Sequence, residues 1–318
     1  MAVKIYCHTS VGFNPYQNLA LEEALAQKTA EDKAVALYLW QNHDTVVIGK
    51  HQNAYAECDY KAMQADNISL ARRKTGGGAV FHDKNNLNFT FINIPHDYDI
   101  ERNRRIICRA MESLGVDCEI SGRNDITWQG KKFSGNAFFR GKDYCVHHGT
   151  IMVDVDMDKL QKYLSVDSSK LISKGVSSVK ARVINLKSVN GDISVDKIKM
   201  ALKQAFELEY GGKALPIDIS KLQEKINALA RFYADKRFIL GDYPEIIKRQ
   251  RKDYGELMIA REKGKLTLYS DCLDTEVIDY IKERLRGGAK SILPRKDFGS
   301  ERLTIIEDIN KMLAEEQI

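Results

Sequence analysis

The densest chemistry in the sequence lies in residues 71–83, ARRKTGGGAVFHD. Three consecutive glycines leave backbone N–H groups uncovered and permit positive φ, so the loop can wrap closely around an anion. Arg72, Arg73 and Lys74 place cations just before it. If that approach is a strand, Arg72 and Arg73 face opposite sides and only one of them reaches a ligand. The segment is neither a P-loop nor a dinucleotide fingerprint, because no G-K-[ST] follows at the required spacing and G-x-G-x-x-G is absent. A glycine triplet alone is as often a flexible turn, and paired arginines alone are usually surface charge. Together, and followed by Val80, Phe81 and His82, they read as a ligand loop.

A second cluster pairs Asn124-Asp125 with residues 132–137, KFSGNA. A lysine fixed among small residues is a point-charge donor for phosphate or carboxylate oxygens. An isolated lysine there would more often be a solvated hairpin residue. The third cluster is residues 147–150, HHGT, and Cys145 stands two residues before it. A thiolate beside a histidine can be nucleophilic, although a small buried strand residue is the commoner role for such a cysteine. The paired histidines make a poor metal clamp, since neighbours on a strand point apart.

The elements that must carry these groups can be read from periodicity. Residues 16–27 form an amphipathic helix after the Asn14-Pro15 turn. Residues 34–41 and 45–49 read as one hairpin, and 79–81 with 87–94 as a second. A strand at 68–73 leads into the glycines, and helices are expected at 60–65 and 103–114, the latter stopping at Gly115. Gln129-Gly130 turns a further hairpin between 125–128 and 131–134, and 148–155 alternates like a strand. Helices follow at 196–210 and 220–232. Beyond a linker at 237–244, strand, strand, helix and helix fall at 255–260, 263–269, 274–285 and 301–314. Strands joined mainly by hairpins, with segregated helices, argue for α+β rather than a doubly wound parallel sheet. The expected domains are 1–245 and a smaller α+β domain at 246–318.

Composition narrows the classes. The 318 residues carry 49 Lys+Arg against 44 Asp+Glu, a net charge of +5, and are 43% hydrophobic with only 5 Pro. That is too apolar for a disordered chain, and long enough for two domains. No apolar run approaches a bilayer span, and the first ten residues lack the pattern of a signal peptide. No basic run interleaved with aromatics suggests nucleic acid. Six scattered cysteines without a C-x-x-C pair suit a reducing, cytoplasmic setting and no structural zinc.

Taken together, the motifs resemble those of lipoate–protein ligases, within the biotin/lipoate-ligase superfamily. The matching stretches are FNPYQNLALEE at 13–23, LWQNHDTVVIG at 39–49, ARRKTGGGAVFHD, SGRND at 121–125, KFSGNA, HHGT and KGVSSVKARVINL at 174–186. They run in order from about residue 13 to 186, and the likeness loosens beyond. The resemblance implies a large mixed-sheet catalytic domain with a small C-terminal accessory domain. It implies ATP-dependent activation of lipoate to lipoyl-AMP with Mg²⁺, then transfer to a lysine of an apo lipoyl domain, on a 2-oxoacid dehydrogenase E2 subunit or a glycine-cleavage H protein. Arg73 and the backbone of Gly78, Ala79, Val80 and Phe81 would hold the adenylate. Lys132 would touch both the α-phosphate and the lipoyl carboxyl oxygen. Leu19, Leu21 and Trp40, with His82 nearby, would receive the dithiolane tail, and Asp125 would help bind Mg²⁺ or nucleotide. A monomer is expected. The rival within the fold is an octanoyl or lipoyl transferase using Cys145 as a thioester nucleophile without ATP; the KFSGNA lysine and the extra C-terminal domain argue against it. A biotin–protein ligase would need a G-R-G-R loop that is absent, and a non-catalytic binding module would be free to lose Arg73 and Lys132.

Overall fold

The computed structural model describes residues 3–122, 124–164 and 182–315. Within the motifs above, residue 123 of SGRND and residues 174–181 of KGVSSVKARVINL lie outside the described residues. The chain forms two compact units, residues 1–241 and 242–318. Among the described residues, no helix is long and apolar enough to cross a membrane.

The first unit is built on a seven-stranded mixed sheet. Its strands are β1 (Ile5–Thr9), β2 (Val35–Trp40), β6 (Asn86–Asn93), β7 (Glu119–Ser121), β8 (Asp125–Trp128), β9 (Lys131–Arg140) and β10 (Cys145–Met152), in the order β1-β2-β6-β10-β9-β8-β7. The β1–β2 pair is parallel and the others are antiparallel. A second sheet of β3 (Thr45–Ile48), β4 (Ser69–Arg72) and β5 (Val80–His82) runs in the order β4-β3-β5. These sheets make the fold α+β, as the sequence indicates.

Strand alternation divides the core. Val35, Leu37 and Leu39 of β2 join Leu87, Phe89 and Phe91 of β6 under helices α4 (Ile100–Glu112) and α6 (Val195–Tyr210). Ala36, Tyr38 and Trp40 turn to the other face, beneath α1 (Pro15–Glu31) and α7 (Gln223–Ala234). Every residue of β2 is therefore buried. Helix α1 starts where its sequence directs: Asn14 accepts hydrogen bonds from the backbone N–H groups of Tyr16 and Gln17, and Pro15 occupies the first turn. Short helices α2 (Ala54–Glu57), α3 (Tyr60–Ala65) and α5 (Met157–Tyr163) cover the small sheet, where Val46, Ile48, Met63, Leu70 and Phe81 form their own cluster.

Two expected hairpins are absent. β2 and β3 belong to different sheets, and so do β5 and β6. The link between β2 and β3 is no simple turn, because Asn42 is fully buried and bonded to Asn18 and His82. The link between β5 and β6 is likewise tied down, with Asp83 accepting from the backbone N–H groups of Asn85 and Asp156. The β8–β9 hairpin does form. Gln129 and Gly130 both have positive φ, +47° and +74°, as a two-residue primed turn requires. The start of the expected linker is instead helix α8 (Lys236–Leu240), with Ile239 buried; Arg72 donates to the carbonyls of Phe238 and Ile239.

The second unit is an antiparallel sheet, β11 (Glu245–Lys252), β12 (Gly255–Glu262) and β13 (Lys265–Ser270), with α9 (Thr275–Arg286) and α10 (Ser300–Glu315). Its separate core gathers Leu257, Ile259, Leu268, Ile281 and Ile309.

One close approach fixes the glycine loop. A Cβ on Gly49 would stand 2.3 Å from the Gly77 carbonyl oxygen, so a side chain there must push backbone against backbone. Gly49→Ala is expected to cost about 1–3 kcal/mol of unfolding free energy, the usual range for overpacking, as measured by urea melts. An unchanged midpoint would refute this packing.

Candidate active site

A single cross-strand row makes the floor of the main cavity. Trp40 faces Asn88 on β6, and Asn88 faces Thr150 on β10. Gly135 on β9 donates its N–H to Thr150 Oγ1 at 3.2 Å and faces Asp125 on β8. Five strands thus carry the floor, spanning roughly 19 Å at about 4.8 Å per strand spacing. The cavity encloses about 180 Å³, with Leu19 of α1, Val47 of β3 and the Gly77–Val80 stretch completing its walls. An elongated ligand suits this shape.

Lys132 stands at the β8 end. Its Nζ lies 2.8 Å from Asp125 Oδ1, with both side chains more than a third exposed. A register irregularity between Ile126 and Thr127 brings it to this side. Three positions before Gly135 on the same strand, Lys132 would otherwise face the opposite way. Gly135 then leaves room, since a Cβ there would sit 2.9 Å from Lys132 Cε and Nζ. The Lys132 backbone is pinned as well: its N–H donates to Arg182 O, and Ile184 N–H donates to its carbonyl. Asn136 donates from its backbone and its side chain to the Asn124 carbonyl, at 2.8 and 3.0 Å. Its own Oδ1 meets His147 Nε2 at 2.8 Å. The loop that presents Asp125 is therefore held from the core side of the sheet.

The two arginines before the glycines point to different partners. Arg72 is buried and donates to the carbonyls of Gly49, Lys50 and Gln52 as well as to α8. Arg73 lines the cavity, and its guanidinium donates to the carbonyls of Val47, Gly76 and Gly78. Burial lowers its pKa to about 10, opposed by nearby Glu22, so it stays cationic at neutral pH. Gly77 adopts φ +94° against this guanidinium. Thr75 anchors the loop from the other side through His148 Nε2 at 2.7 Å. His148 Nδ1 meets Glu22 Oε1 at 2.9 Å, and Thr90 donates to the same oxygen at 2.7 Å while accepting from Trp40 Nε1.

The β2 end is apolar and aromatic, lined by Leu19, Trp40, Val47, His82 and Asn88. Trp40 and His82 meet edge to face, 6.2 Å between centroids. Of the residues predicted from sequence, Leu19, Trp40, Arg73, Gly78, Ala79, Val80, His82, Asp125 and Lys132 line one cavity. Leu21 and Phe81 do not. Two positions after Leu19, Leu21 turns to another side of α1 and packs in the α1–α7 core. Phe81 alternates with Val80 and His82, so its side chain enters the cluster around Met63 and Tyr163. Cys145 is also excluded. It shares the sheet face of His147, opposite His148 and Thr150, is 3% exposed, and burial pushes its thiol pKa up rather than activating it. Glu22, Thr75, Asn88 and Asn136 are not legible as site residues in the sequence, although all but Asn88 fall inside a quoted motif. Their only signal is polarity at positions the strand and helix patterns bury.

Two buried histidines give the site a pH signature. Burial, then Arg73 and His148, lowers the His82 pKa to about 3; burial, then His148 and Arg104, does the same for His147. Both are neutral when folded and protonate near pH 6.5 when unfolded. The unfolded state thus binds more protons below pH 6.5, and stability present above that pH is lost as pH falls toward 3. The loss approaches about 1.4 kcal/mol per pH unit for each group. His147→Gln is expected to flatten the decline in urea-unfolding free energy between pH 7 and pH 5. An unaltered slope would show that His147 titrates normally.

Residues 14–207 match the family model described as the lipoyl protein ligase A/B catalytic domain. A relative named lipoate-protein ligase A from Psychrobacter cryohalolentis is 38% identical over 288 residues, covering 86% of this chain and 85% of its own. The crystal structure of P. falciparum LipL1 in complex with lipoate superposes with a TM-score of 0.66 at 26% identity, covering 98% of this chain and 99% of that one. A lipoate-protein ligase A crystal structure bound with ATP gives a TM-score of 0.63 at 27% identity over 76% of this chain and 99% of that one. With the family model matching more than half of its length, the chain belongs to the lipoyl protein ligase A/B family.

Proposed function

We propose that the protein is an ATP-dependent lipoate–protein ligase. It joins the lipoate carboxylate to AMP and then passes the lipoyl group to the ε-amine of a lysine on an apo lipoyl domain. The observation that carries this reading is the polarity of one elongated cavity, cationic at Lys132 and apolar at Trp40. A short fatty acid with a bulky apolar end fits that gradient.

A carboxylate is a poor acyl donor because oxide would have to leave. In the first step a carboxylate oxygen attacks the α-phosphorus of ATP and pyrophosphate departs. In the second, the acceptor amine attacks the acyl carbon, the C–O bond to AMP breaks, and the amine loses a proton. Charge gathers on oxygens near the same spot in both steps. Lys132 supplies a mobile positive charge there, and the backbone of Gly78, Ala79, Val80 and Phe81 would supply fixed dipoles. Asp125 holds Nζ until a ligand oxygen replaces it.

The Asp125 carboxylate and Asn124 Oδ1, a buried acceptor without a donor among the described residues, both belong to residues lining the cavity and would be the hard oxygen ligands for Mg²⁺. The ion, when bound, offsets phosphate charge. We assign catalysis to residues 1–245 and an accessory role to 246–318. Six free cysteines suit the cytoplasm. E2 subunits of 2-oxoacid dehydrogenases and glycine-cleavage H protein are the expected acceptors.

The test is purified enzyme with lipoate, Mg-ATP and an apo lipoyl domain, following AMP release and acceptor mass together. Lys132→Met is expected to lower the rate by about 10²–10³, as for removal of one oxyanion donor. Cys145→Ala should retain both half-reactions. Acyl transfer without ATP, or a dead Cys145→Ala enzyme, would overturn the proposal.

A further inference from the structure

The tail end of the cavity is apolar in outline yet carries two buried N–H donors that meet no acceptor among the described residues: His82 Nε2 and Asn88 Nδ2. A buried donor without an acceptor is costly, so its persistence calls for a reason.

The proton on His82 is fixed by a relay of amides. Asn18 Oδ1 accepts from the hydroxyls of Ser10 and Tyr38, at 2.8 and 3.2 Å. Its Nδ2 donates to the carbonyls of Gly12 and Gln41. That orientation leaves no freedom: Asn18 Nδ2 also donates to Asn42 Oδ1 at 3.0 Å. Asn42 must then present its own Nδ2 to His82 Nδ1, at 3.1 Å. Nδ1 is consequently the acceptor, and the single proton of the neutral ring sits on Nε2. Asn86 Nδ2 donates to Asn88 Oδ1 at 3.1 Å, so Asn88 likewise keeps its amide N–H as the free group.

We infer that His82 and Asn88 read the far end of the acyl chain by donating to an acceptor atom there, and so favour a sulfur-bearing tail over an all-carbon one of similar length, with Asn18 and Asn42 as positioning residues that hold the ring tautomer. This rests on the ligase reading above, and on the position of both donors at the Trp40 side of the cavity, away from Lys132: Asn88 faces Trp40 in the floor row, and His82 meets the Trp40 ring edge to face. The dithiolane sulfurs of lipoate are weak acceptors, but the methylene and methyl groups of octanoate offer none. A site that presents donors penalises the analogue that leaves them unpaired. With sulfur as the acceptor the discrimination should be modest, roughly three- to tenfold.

The experiment measures KM for lipoate and for octanoate in acyl-adenylate formation by the full-length enzyme with Mg-ATP. Wild type should favour lipoate by that factor. His82→Phe keeps a ring but removes the donor, and should bring the ratio toward one; Asn88→Leu should move it the same way. In Asn42→Asp the new carboxylate accepts from Nδ1, the proton leaves Nε2, and lipoate should lose more than octanoate. Histidine ¹⁵N spectra should show the Nε2–H tautomer of His82 in wild type and its switch in Asn42→Asp, a signature that mere loosening of the cavity would not give. A ratio unaltered in both His82→Phe and Asn88→Leu, or an Nδ1–H ring in wild type, overturns this inference alone. Failure of wild type to form an adenylate from either acid overturns the ligase reading and this inference with it.

Discussion

One buried carboxylate joins the parts of the site. Glu22 lies on α1 and is 8% exposed, and its Oε1 accepts from Thr90 of β6 and His148 of β10. Taking an anion out of water costs several kcal/mol unless hydrogen bonds and opposite charge replace the lost hydration. The hydroxyl and the imidazole do this directly, and the buried Arg73 cation attracts it from nearby. Because His148 also holds Thr75, the glycine loop is tied to the same carboxylate through one intermediate. Trp40 is tied to it through Thr90. The helix, the sheet and the loop therefore cannot shift separately without breaking a buried polar contact, which is where such contacts are most expensive to lose.

The polarity gradient of the cavity follows from sheet order. Residues directly opposite each other on adjacent strands form a row, and the row from Trp40 to Asp125 crosses from the strand next to the β1 edge to the strand next to the β7 edge. The β2 end is roofed by Leu19 of α1 and by Val47 and Val80 of the small sheet. The β8 end is where Lys132 and Asp125 keep part of their surface in water. No special arrangement of apolar and charged residues is needed beyond placing them on the right strands. The irregularity at Ile126 and Thr127 is the one local exception, and it is what recruits Lys132 to the row's side of the sheet.

The sequence revealed most of the elements but less of their pairing. The helix at 60–65 and the Gln129-Gly130 turn are local features, set by caps and by tolerance of positive φ, and both were legible. The two false hairpins were not, because β2 and β3 are apolar on both faces and their burial patterns carry no register. What separates them is Asn42, whose partners lie at Asn18 and His82, far off in sequence. β1 was missed because its five residues lie at the sheet edge without strict alternation. In the site, the cations, Asp125 and the glycines are legible from the sequence, while Glu22, Thr75 and Asn88 are not. Their polarity matters only because the fold buries them.

The difference between the two cations explains why one is an arginine and the other a lysine. Arg73 offers a planar fork of donors and is weakly hydrated, so burial against three carbonyls leaves it charged and geometrically fixed. It shapes the loop and sets a constant positive potential beneath it. Lys132 is a compact charge on a flexible stem, held by an ion pair that is more than a third exposed on both sides. Such a pair contributes about 0–1 kcal/mol. An incoming carboxylate or phosphate oxygen can therefore take Nζ from Asp125 at almost no cost, and that is the property an acyl transfer with two successive oxygen partners requires. Exchanging the two residue types would leave the loop without its fork of donors and the reacting oxygens facing a guanidinium with fewer ways to move.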